Sequence, residues 1–543
     1  MRLLVVVLAG LATGLSWQPY GLWPLLLLSL PAFTLAVFGQ PLRRSFGLGY
    51  GYGLAMLTVS VNWLHVLGWW VAALLIVFMA LFFGILGLAL SLVSRLKLWP
   101  LAAACCWVMV EFGYSRAPFG GFGWTRIAYA AVDTPLAGYL PIIGVVGLSF
   151  LVAGVGQLIA WALAPASSST TTRRWLRIAI SAGLIVVLLL GGTALRSYQP
   201  EPEVPIAGTV NVGVVQGNVP GRGIEALGRA RSVTNNHLSE TVDLMAKARL
   251  GRVPMPDFIL WPENSTDIDP QLDPVTRSVV WSATRIAGRP ILVGAVTEGP
   301  GEDERQTTAM WWDPSYGVLA TYHKRNLVPF GEWIPFRTQL LPLVPILKEV
   351  GAQSVPGTTP GVLTVPLNGR ELRVGDVICF ELAYDKTVYQ AVEGSQVLMV
   401  QSNNATYGGT GQVEQQFAIT RARAMEARRE IAVATTNSVS GYIDRDGNIV
   451  RRTSEFTADS FVETMPLRSA ITPALRIAPW LDRGLALAGL AFCLIGLTRA
   501  PVRPGGSREP RMGSGRLGPP REPTATNGDS PSSLFTGAER RTQ

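Results

Sequence analysis

Three side chains that could carry out acyl transfer follow short apolar runs in the second half of the sequence. Glu263 follows "FILWP", Lys324 follows "VLATYH" and Cys379 follows "VGDVI". A thiol is a strong nucleophile only as the thiolate, and a nearby carboxylate can take its proton as general base. An ammonium group can lower the pKa of the thiol and stabilise the oxyanion of a tetrahedral intermediate. Together the three groups predict acyl transfer through a thioester.

Each of these residues also has a simpler interpretation. A cysteine in an apolar strand is most often a small core side chain. Glu263 could cap a helix, and Lys324 could be a surface lysine beside Arg325. The order of glutamate, lysine and cysteine, each with its flanking string, favours the catalytic interpretation.

The other cysteines and the histidines do not point to a competing site. The chain has four cysteines and three histidines, without a CxxC motif and without the spacing of metal ligands. We therefore expect no disulfide framework, no metal and no cofactor.

The composition is that of a membrane protein. Of the 543 residues, 48% are hydrophobic and only 15% are charged, against roughly 25% charged in a typical soluble domain. Residues 1–195 read as seven apolar runs, each close to the roughly 20 residues that a helix needs to cross a bilayer. The predicted spans are 2–18, 20–39, 47–68, 70–94, 97–113, 141–164 and 174–193, with an eighth at 479–498.

Basic residues mark one side of these spans. They occur in the loops 39–45, 94–99 and 170–177 and in the tail 499–543. The positive-inside rule places these segments and both termini in the cytoplasm, so that the segment between spans seven and eight is extracytoplasmic. The tail is rich in Pro, Gly, Ser and Arg and is expected to be disordered. No aromatic residues alternate with its arginines, so we expect no nucleic-acid binding.

The segment 208–465 has the pattern of an α/β domain. Helix-like stretches at 224–250 and 411–430 alternate with β-rich runs, and an Asp-Gly turn predicts a hairpin at 442–450. The β-rich runs are 210–217, 257–263, 290–296, 318–324, 374–381, 397–403 and 431–438. The three reactive side chains lie at strand ends and are expected to converge at one edge of a sheet.

These features resemble the nitrilase, or carbon–nitrogen hydrolase, superfamily, whose members share a Glu-Lys-Cys triad on an αββα sandwich. With seven spans before the domain and one after it, residues 1–498 resemble the apolipoprotein N-acyltransferase family. The strings that carry the resemblance are "VVQGN" (214–218), "WPENS" (261–265), "YHKRNLVPFGEW" (322–333), "ICFE" (378–381), "TTNSVSGYID" (435–444), "WVMVEFGYSR" (107–116), "FGW" (122–124) and "PIIGVVGLSF" (141–150).

The resemblance implies a role for five residues. Glu263 would be the general base, Lys324 the oxyanion stabiliser and Cys379 the acylated nucleophile. Glu332 and Glu381 match supporting carboxylates that would orient Lys324 and tune the charge near Cys379.

The sequence departs from the family pattern in two places, one residue and one loop. Phe380 stands where a tyrosine commonly follows the nucleophile. The loop usually written "NDAWFG" reads "NNATYGG" here, with Asn404 in place of a carboxylate and Tyr407 in place of another aromatic residue. Phe380, Asn404 and Tyr407 are therefore candidate contacts to the lipid or the acceptor, and the departures concern preference for those substrates.

The reaction that the resemblance implies has two steps. A fatty acyl chain passes from a membrane phospholipid to Cys379, and then to the N-terminal S-diacylglyceryl cysteine amine of an apolipoprotein. The expected location is the cytoplasmic membrane of a bacterium, with a multi-pass chain. Two alternatives stay open: a membrane-tethered amidase that hydrolyses a small amide with the same triad, and a non-enzymatic scaffold with a degenerate domain.

Overall fold

The computed structural model describes residues 1–165, 171–200, 208–219 and 231–499. Seven helices precede the first strand in these ranges. They are α1 (Arg2–Gly14), α2 (Leu26–Val37), α3 (Leu42–Ser60), α4 (Trp69–Val93), α5 (Trp99–Tyr114), α6 (Leu140–Leu163) and α7 (Thr171–Leu195).

Each predicted span overlaps one α-helix, but the helices differ in length and several begin before the predicted span. Four segments of the described chain are long and apolar enough to cross a membrane: Trp69–Val93, Pro135–Leu163, Thr171–Leu195 and Pro473–Leu497. Helices α1, α2 and α5 have 13, 12 and 16 residues, fewer than the roughly 20 that a crossing needs. The count of seven spans and one further span stays a prediction.

Glycines allow some of these helices to lie very close together. A Cβ on Gly49 of α3 would stand 2.2 Å from the carbonyl oxygen of Phe83 in α4. A Cβ on Gly87 of α4 would stand 2.3 Å from the carbonyl oxygen of Ser45 in α3. Small residues at such contacts are the usual basis of tight helix packing in membranes.

The α/β part consists of two mixed sheets. Its strands are β1 (Thr209–Gln216), β2 (Phe258–Leu260), β3 (Ile291–Glu298), β4 (Glu304–Asp313), β5 (Gly317–His323), β6 (Gln353–Ser354), β7 (Val362–Leu367), β8 (Arg370–Ile378), β9 (Val397–Ser402), β10 (Ile431–Thr435), β11 (Gly441–Ile443), β12 (Ile449–Arg452) and β13 (Asp459–Pro466). The first sheet has the order β13-β1-β2-β3-β4-β5, with β6 paired to β4, and the second has the order β12-β11-β10-β9-β8-β7.

Helices cover the outer faces of both sheets. Helices α8 (Ser232–Arg249) and α9 (Pro274–Ala287) cover the first sheet, and α11 (Asp385–Gly394) and α12 (Gly411–Ala427) cover the second. The described chain also contains the short α10 (Arg337–Leu340) and the last helix α13 (Pro473–Leu497), which packs against α5 and α6. Helices α8 and α9 share a core with the first sheet, and the inner faces of the two sheets share another. Central strands buried on both faces read as continuous apolar runs, which explains the sequence pattern and confirms the predicted αββα sandwich.

The second sheet shares its outer core with the membrane helices. Side chains of α11, α12 and β9 belong to one hydrophobic cluster with residues of α1 to α6 and α13. The α/β part, β1 to β13 with its helices, is called the catalytic part below, and α1 to α7 with their connections are called the helical part. The two are joined through a continuous apolar interior, with α12 beside α6. This contact places one end of the sandwich against the helical part.

All seven predicted β-rich runs contain a strand, and the predicted hairpin is formed by β11 and β12. Gly447 in its turn has a φ of +81°, as the Asp-Gly signature requires. Helix α12 lies within the predicted stretch 411–430. The first residues of the other predicted helix and the tail from residue 500 lie outside the described residues.

Candidate active site

The three reactive residues come from both sheets. Glu263 follows β2 and Lys324 follows β5 in the first sheet, whereas Cys379 follows β8 in the second. The expectation that they meet at one edge of a single sheet was therefore wrong. Strand ends from the two stacked sheets meet at one end of the sandwich, because the apolar runs of both sheets face the same inner core.

Cys379 sits at a sharp turn in the left-handed region of backbone space. Its φ is +53°, and the five residues Cys379–Ala383 form a 3₁₀ turn directly after β8. A non-glycine residue costs roughly 1–2 kcal/mol in this conformation and persists there only when the surroundings hold it. The turn presents the thiol beyond the end of the sheet rather than within it.

Lys324 is a buried ammonium between two carboxylates. Its Nζ donates to Oε1 of Glu263 at 2.8 Å and to Oε1 of Glu332 at 3.0 Å, and its side chain is only 2% exposed. Burial alone lowers the pKa of an amine, but the two carboxylates outweigh it and hold the pKa of Lys324 well above its usual value. The ammonium is therefore charged at neutral pH and fixed in direction.

Backbone amides hold the two carboxylates in place. Oε2 of Glu263 accepts from the amide of Asn403 at 2.7 Å, and Oε2 of Glu332 accepts from the amide of Val328 at 2.7 Å. Each carboxylate thus uses one oxygen on the backbone and the other on Lys324. Glu332 thus contacts Lys324 directly, the residue that the family resemblance implies it would orient.

The thiol of Cys379 is held in its neutral form. Burial and the Glu263 carboxylate raise the pKa of Cys379 to about 12, and the opposing effect of Lys324 is not enough to reverse this. The sequence-based expectation that Lys324 lowers the thiol pKa is right for that one interaction and wrong for the net result. Nucleophilic attack therefore needs a base at the moment of reaction.

Glu381 fixes the turn Cys379–Ala383 to the segment that carries Lys324. Its carboxylate accepts from the hydroxyl of Tyr322 at 2.8 Å, from the amide of Arg325 at 2.7 Å and from the amide of Ile378 at 2.8 Å. Tyr322 and Arg325 flank the segment that carries Lys324, and Ile378 precedes the cysteine. Glu381 is fully buried and tethers these two segments, rather than bonding to the lysine itself.

The three candidate substrate contacts lie in different surroundings. Phe380 is 6% exposed and stacks on Trp124 with ring centres 6.0 Å apart. The buried side chain of Asn404 donates to Gln416 of α12, so it faces the protein interior. Burial raises the pKa of the Tyr407 phenol, and Cys379, which lies within electrostatic reach, raises it further.

Aromatic residues of the helical part extend to this site, which the sequence analysis did not predict. Trp63 packs edge-on against Tyr407 at 5.3 Å, and Trp124 stacks on Phe380. Gln415 of α12 accepts from both indole N–H groups, at 3.0 and 2.9 Å. The string "FGW", which contains Trp124, is one of those that carry the family resemblance, but nothing in the sequence paired Trp63 or Gln415 with it.

Gly294 in β3 is a second residue that sequence reasoning missed. A Cβ there would stand 2.2 Å from the carbonyl oxygen of Pro262 and 2.7 Å from Cα of Glu263. The absence of a side chain therefore lets β3 pass directly beneath the loop that carries Glu263. A glycine inside a predicted strand is the signal of such a close approach.

The arrangement combines the parts needed for covalent acyl transfer. A thiol at a strained turn, a carboxylate and a fixed ammonium lie together, and electrostatic interactions link all three. Within the described ranges, no cluster of three or more His, Cys, Asp or Glu side chains is arranged to hold a metal ion. The chemistry that these side chains offer is nucleophilic and acid–base.

Both parts of the chain match known protein families. Residues 9–158 match the apolipoprotein N-acyltransferase N-terminal domain, and residues 283–471 match the carbon–nitrogen hydrolase domain. A solved amidase of the nitrilase superfamily from Nesterenkonia AN1 is 18% identical, with a TM-score of 0.37, and is similar over 52% of this chain and 98% of its own.

Relatives with similarity to nearly the whole chain bear the same family name. The apolipoprotein N-acyltransferase of Mycolicibacterium smegmatis is 33% identical over 90% of this chain and 84% of its own length. That of Vibrio parahaemolyticus is 28% identical over 88% of this chain and 93% of its own. These matches confirm the resemblance seen in the sequence, and the chain belongs to the apolipoprotein N-acyltransferase family.

Proposed function

We propose that the chain moves a fatty acyl group from a membrane phospholipid, through a thioester on Cys379, to the N-terminal S-diacylglyceryl cysteine amine of apolipoproteins. Family membership gives the reaction class, N-acyl transfer in lipoprotein maturation. The observation that supports the covalent route best is the thiol of Cys379 on a positive-φ turn, under the joint influence of Glu263 and Lys324.

The first step forms the thioester. Glu263 accepts the thiol proton as Sγ of Cys379 attacks the ester carbonyl carbon of the phospholipid. The ammonium of Lys324 stabilises the negative charge that develops on the carbonyl oxygen. As the ester C–O bond breaks, Glu263 returns the proton to the departing oxygen, and a lysophospholipid leaves.

The second step transfers the acyl group to nitrogen. The free amine of the diacylglyceryl cysteine attacks the thioester carbonyl, and Lys324 again stabilises the oxyanion. Glu263 takes a proton from the attacking nitrogen and delivers it to the sulfur as the C–S bond breaks. The products are an amide and the free Cys379 thiol, so a two-step, ping-pong scheme follows.

The electrostatics of the site suit this sequence of events. A thiol whose pKa is about 12 does not react with water-soluble electrophiles at neutral pH to any great extent. Proton transfer from the thiol to Glu263 becomes favourable once the positive charge of Lys324 stabilises the oxyanion that forms on the substrate. The resting enzyme is thus protected from side reactions until a carbonyl is bound.

The proposed topology places the catalytic domain on the side of the membrane where both substrates lie. In this proposal residues 1–195 and 479–498 are the membrane domain, and the catalytic domain 208–465 lies against the outer leaflet of a bacterial cytoplasmic membrane. Both termini, with the tail 499–543, then lie in the cytoplasm. The phospholipid and the lipid-anchored acceptor meet the site from the same leaflet.

Apolar side chains surround the loops near the lysine. Phe119 of the helical part lies 6.3 Å from Phe330 and 5.9 Å from Phe336, measured between ring centres. Phe336 is 67% exposed. An exposed aromatic group next to the Glu332 loop suits an acyl-chain substrate better than a small polar amide.

Two-substrate kinetics test this proposal. We would reconstitute the full chain in micelles containing a phospholipid with a labelled acyl chain and a synthetic S-diacylglyceryl cysteine peptide. Parallel double-reciprocal lines are expected, with one lysophospholipid released for each amide formed. Release of free fatty acid or of ammonia from small amides, without amide formation on the peptide, would instead indicate a hydrolase.

A further inference from the structure

Buried charges of alternating sign run through the junction between the helical and the catalytic part. We name this set the charge ladder; its members are Glu111, Arg126, Asp385, Arg423 and Glu426. Four ion pairs join them in that order, at 3.8, 2.8, 2.7 and 2.6 Å. The most exposed side chain among the five is that of Asp385, at 16%.

Both ends of the ladder are fixed to the helical part. Glu111 lies on α5, where its carboxylate accepts from the indole of Trp107 at 3.2 Å and from the amide of Ile127 at 2.8 Å. Glu426 lies on α12 and accepts from the amide of Val145 in α6 at 2.9 Å. The ladder therefore crosses from one membrane-side helix to another by way of the catalytic part.

The middle of the ladder touches the nucleophile turn. Nε of Arg423 donates to the carbonyl oxygen of Leu382 at 2.9 Å, and Leu382 lies within the turn Cys379–Ala383. Asp385 begins α11 immediately after that turn and receives Nη1 of Arg126 and Nη2 of Arg423 at 2.8 and 2.7 Å. Although burial opposes ionisation, the two arginines hold the pKa of Asp385 below its usual value.

The turn needs such support. Cys379 has a φ of +53°, and a residue in this conformation stays there only if its surroundings over-determine it. Glu381 holds the turn from the lysine side through the amide of Ile378. The ladder holds the other side, and through Arg126 this support originates in the helical part.

Stability alone is a poor reason for burying five charges. A buried ion pair generally contributes little net stability relative to an apolar contact of the same volume. Its directional hydrogen bonds instead select one geometry. A junction built only from the apolar cluster that surrounds the ladder would leave the turn free to shift along the interface.

We infer that the charge ladder positions the Cys379 turn, with Arg126 of the helical part and Arg423 of α12 as positioning residues that act through Asp385 and the carbonyl oxygen of Leu382. This inference rests on the proposed role of Cys379 as nucleophile. It makes the placement of the catalytic thiol depend on how the two parts of the chain are docked.

The main test compares Arg126→Lys with Asp133→Asn in the full chain in micelles. The lysine keeps the positive charge but loses the guanidinium fork. Asp133 is the matched control, because its pair with Arg421 of α12, at 2.7 Å, joins the same two parts away from the turn. Melting temperature, kcat and KM for the phospholipid and the rate of Cys379 alkylation by iodoacetamide would be measured for both variants.

For Arg126→Lys we expect kcat to fall about tenfold or more, since a misplacement of about 1 Å can cost a hundredfold. KM should stay within about twofold of the wild type, because the acyl-chain contacts are unchanged. The alkylation rate should change as well, whereas Asp133→Asn should match the wild type. A purely structural role for Arg126 would lower the amount of folded protein but leave kcat per folded molecule and the alkylation rate unchanged.

A second variant covers the case in which Arg126→Lys does not fold. Asp385→Asn keeps an oxygen for the arginines but removes the charge. We expect kcat to fall here too, by a smaller factor than in Arg126→Lys. Wild-type kcat and alkylation in the folded variants, together with an inactive Cys379→Ala enzyme, would overturn the inference and leave the proposed function intact. An active Cys379→Ala enzyme would overturn both.

Discussion

Replacing Glu263, the proposed general base, should make Cys379 more reactive toward a small electrophile while it abolishes acyl transfer. Burial raises the pKa of the Cys379 thiol, the negative charge of the Glu263 carboxylate raises it further by repelling the thiolate, and Lys324 lowers it. In Glu263→Gln the negative charge is removed and the ammonium loses its main partner. Both changes favour the thiolate, so the thiol pKa must fall.

The size of the effect follows from the raised pKa. With a pKa of about 12, about one Cys379 thiol in ten thousand is ionised at pH 8, and each unit of decrease raises that fraction tenfold. A neighbouring charge typically moves a pKa by about one to three units. Alkylation of the variant at pH 8 should therefore be about tenfold faster or more, whereas acyl transfer should be lost for want of a proton acceptor.

The assay is the rate of iodoacetamide addition, followed by intact mass between pH 7 and 9. A Cys379→Ala enzyme gives the background from the three cysteines buried in α5 and α13. Glu332→Gln should shift the rate in the same direction by a smaller factor, because its carboxylate affects the thiol less than that of Glu263 does. Slower alkylation of a folded Glu263→Gln enzyme would refute the reasoning, since it would mean that Glu263 ionises the thiol in the resting state.

Three further substitutions test the framework around the site. Glu381→Gln leaves the buried amide of Ile378 facing an amide nitrogen, and should lower the free energy of unfolding by about 1–3 kcal/mol, measured by denaturant titration in micelles with the exposed Asp243→Asn as control. Gly294→Ala pushes β3 against the Glu263 loop, and should reduce kcat by about tenfold or more in the transfer assay; an enzyme with normal kcat would show that the loop has room to move. Gln415→Leu leaves the indole N–H groups of Trp63 and Trp124 without their acceptor, and we expect the free energy of unfolding to fall by about 2 kcal/mol or more. An unchanged value would mean that water replaces the amide.

The fold of the catalytic part was predictable because its central strands are short, apolar and separated by turn residues. The strands that the sequence missed carry a different pattern. In β7 and in β13, exposed or half-exposed residues interrupt the apolar ones, since these strands lie at the edges of their sheets. Strand β4 begins with five polar residues, from Glu304 to Thr308, which hid its apolar second half.

The helical part was predicted less well in its boundaries than in its number of helices. Apolar runs such as 20–39 include a non-helical entrance and a 3₁₀ turn, Trp23–Leu25, before the α-helix begins at Leu26. Apolar composition does not distinguish these conformations: the 3₁₀ turn is as apolar as the helix, although none of its three residues is buried. The ends of the helices depend on tertiary contacts that periodicity does not report.

The candidate site was predicted as a list of residues but not as a set of contacts. Strand ends and flanking strings identified Glu263, Lys324 and Cys379, and the structure brings them together. Their pairing across two sheets, and the thiol pKa that results from it, depend on distances between segments far apart in the chain. The same is true of Arg126, which in the sequence is one more arginine in a loop.

The measurement that tests the central claim most directly is the intact mass of the protein purified from its native membranes, beside a Cys379→Ala variant. The account predicts a fraction of wild-type protein heavier by one fatty acyl chain. Hydroxylamine should remove the added mass, and the variant should lack it. Wild-type protein without such an adduct, even after incubation with phospholipid, would contradict the acyl-thioester and with it the proposed route of transfer.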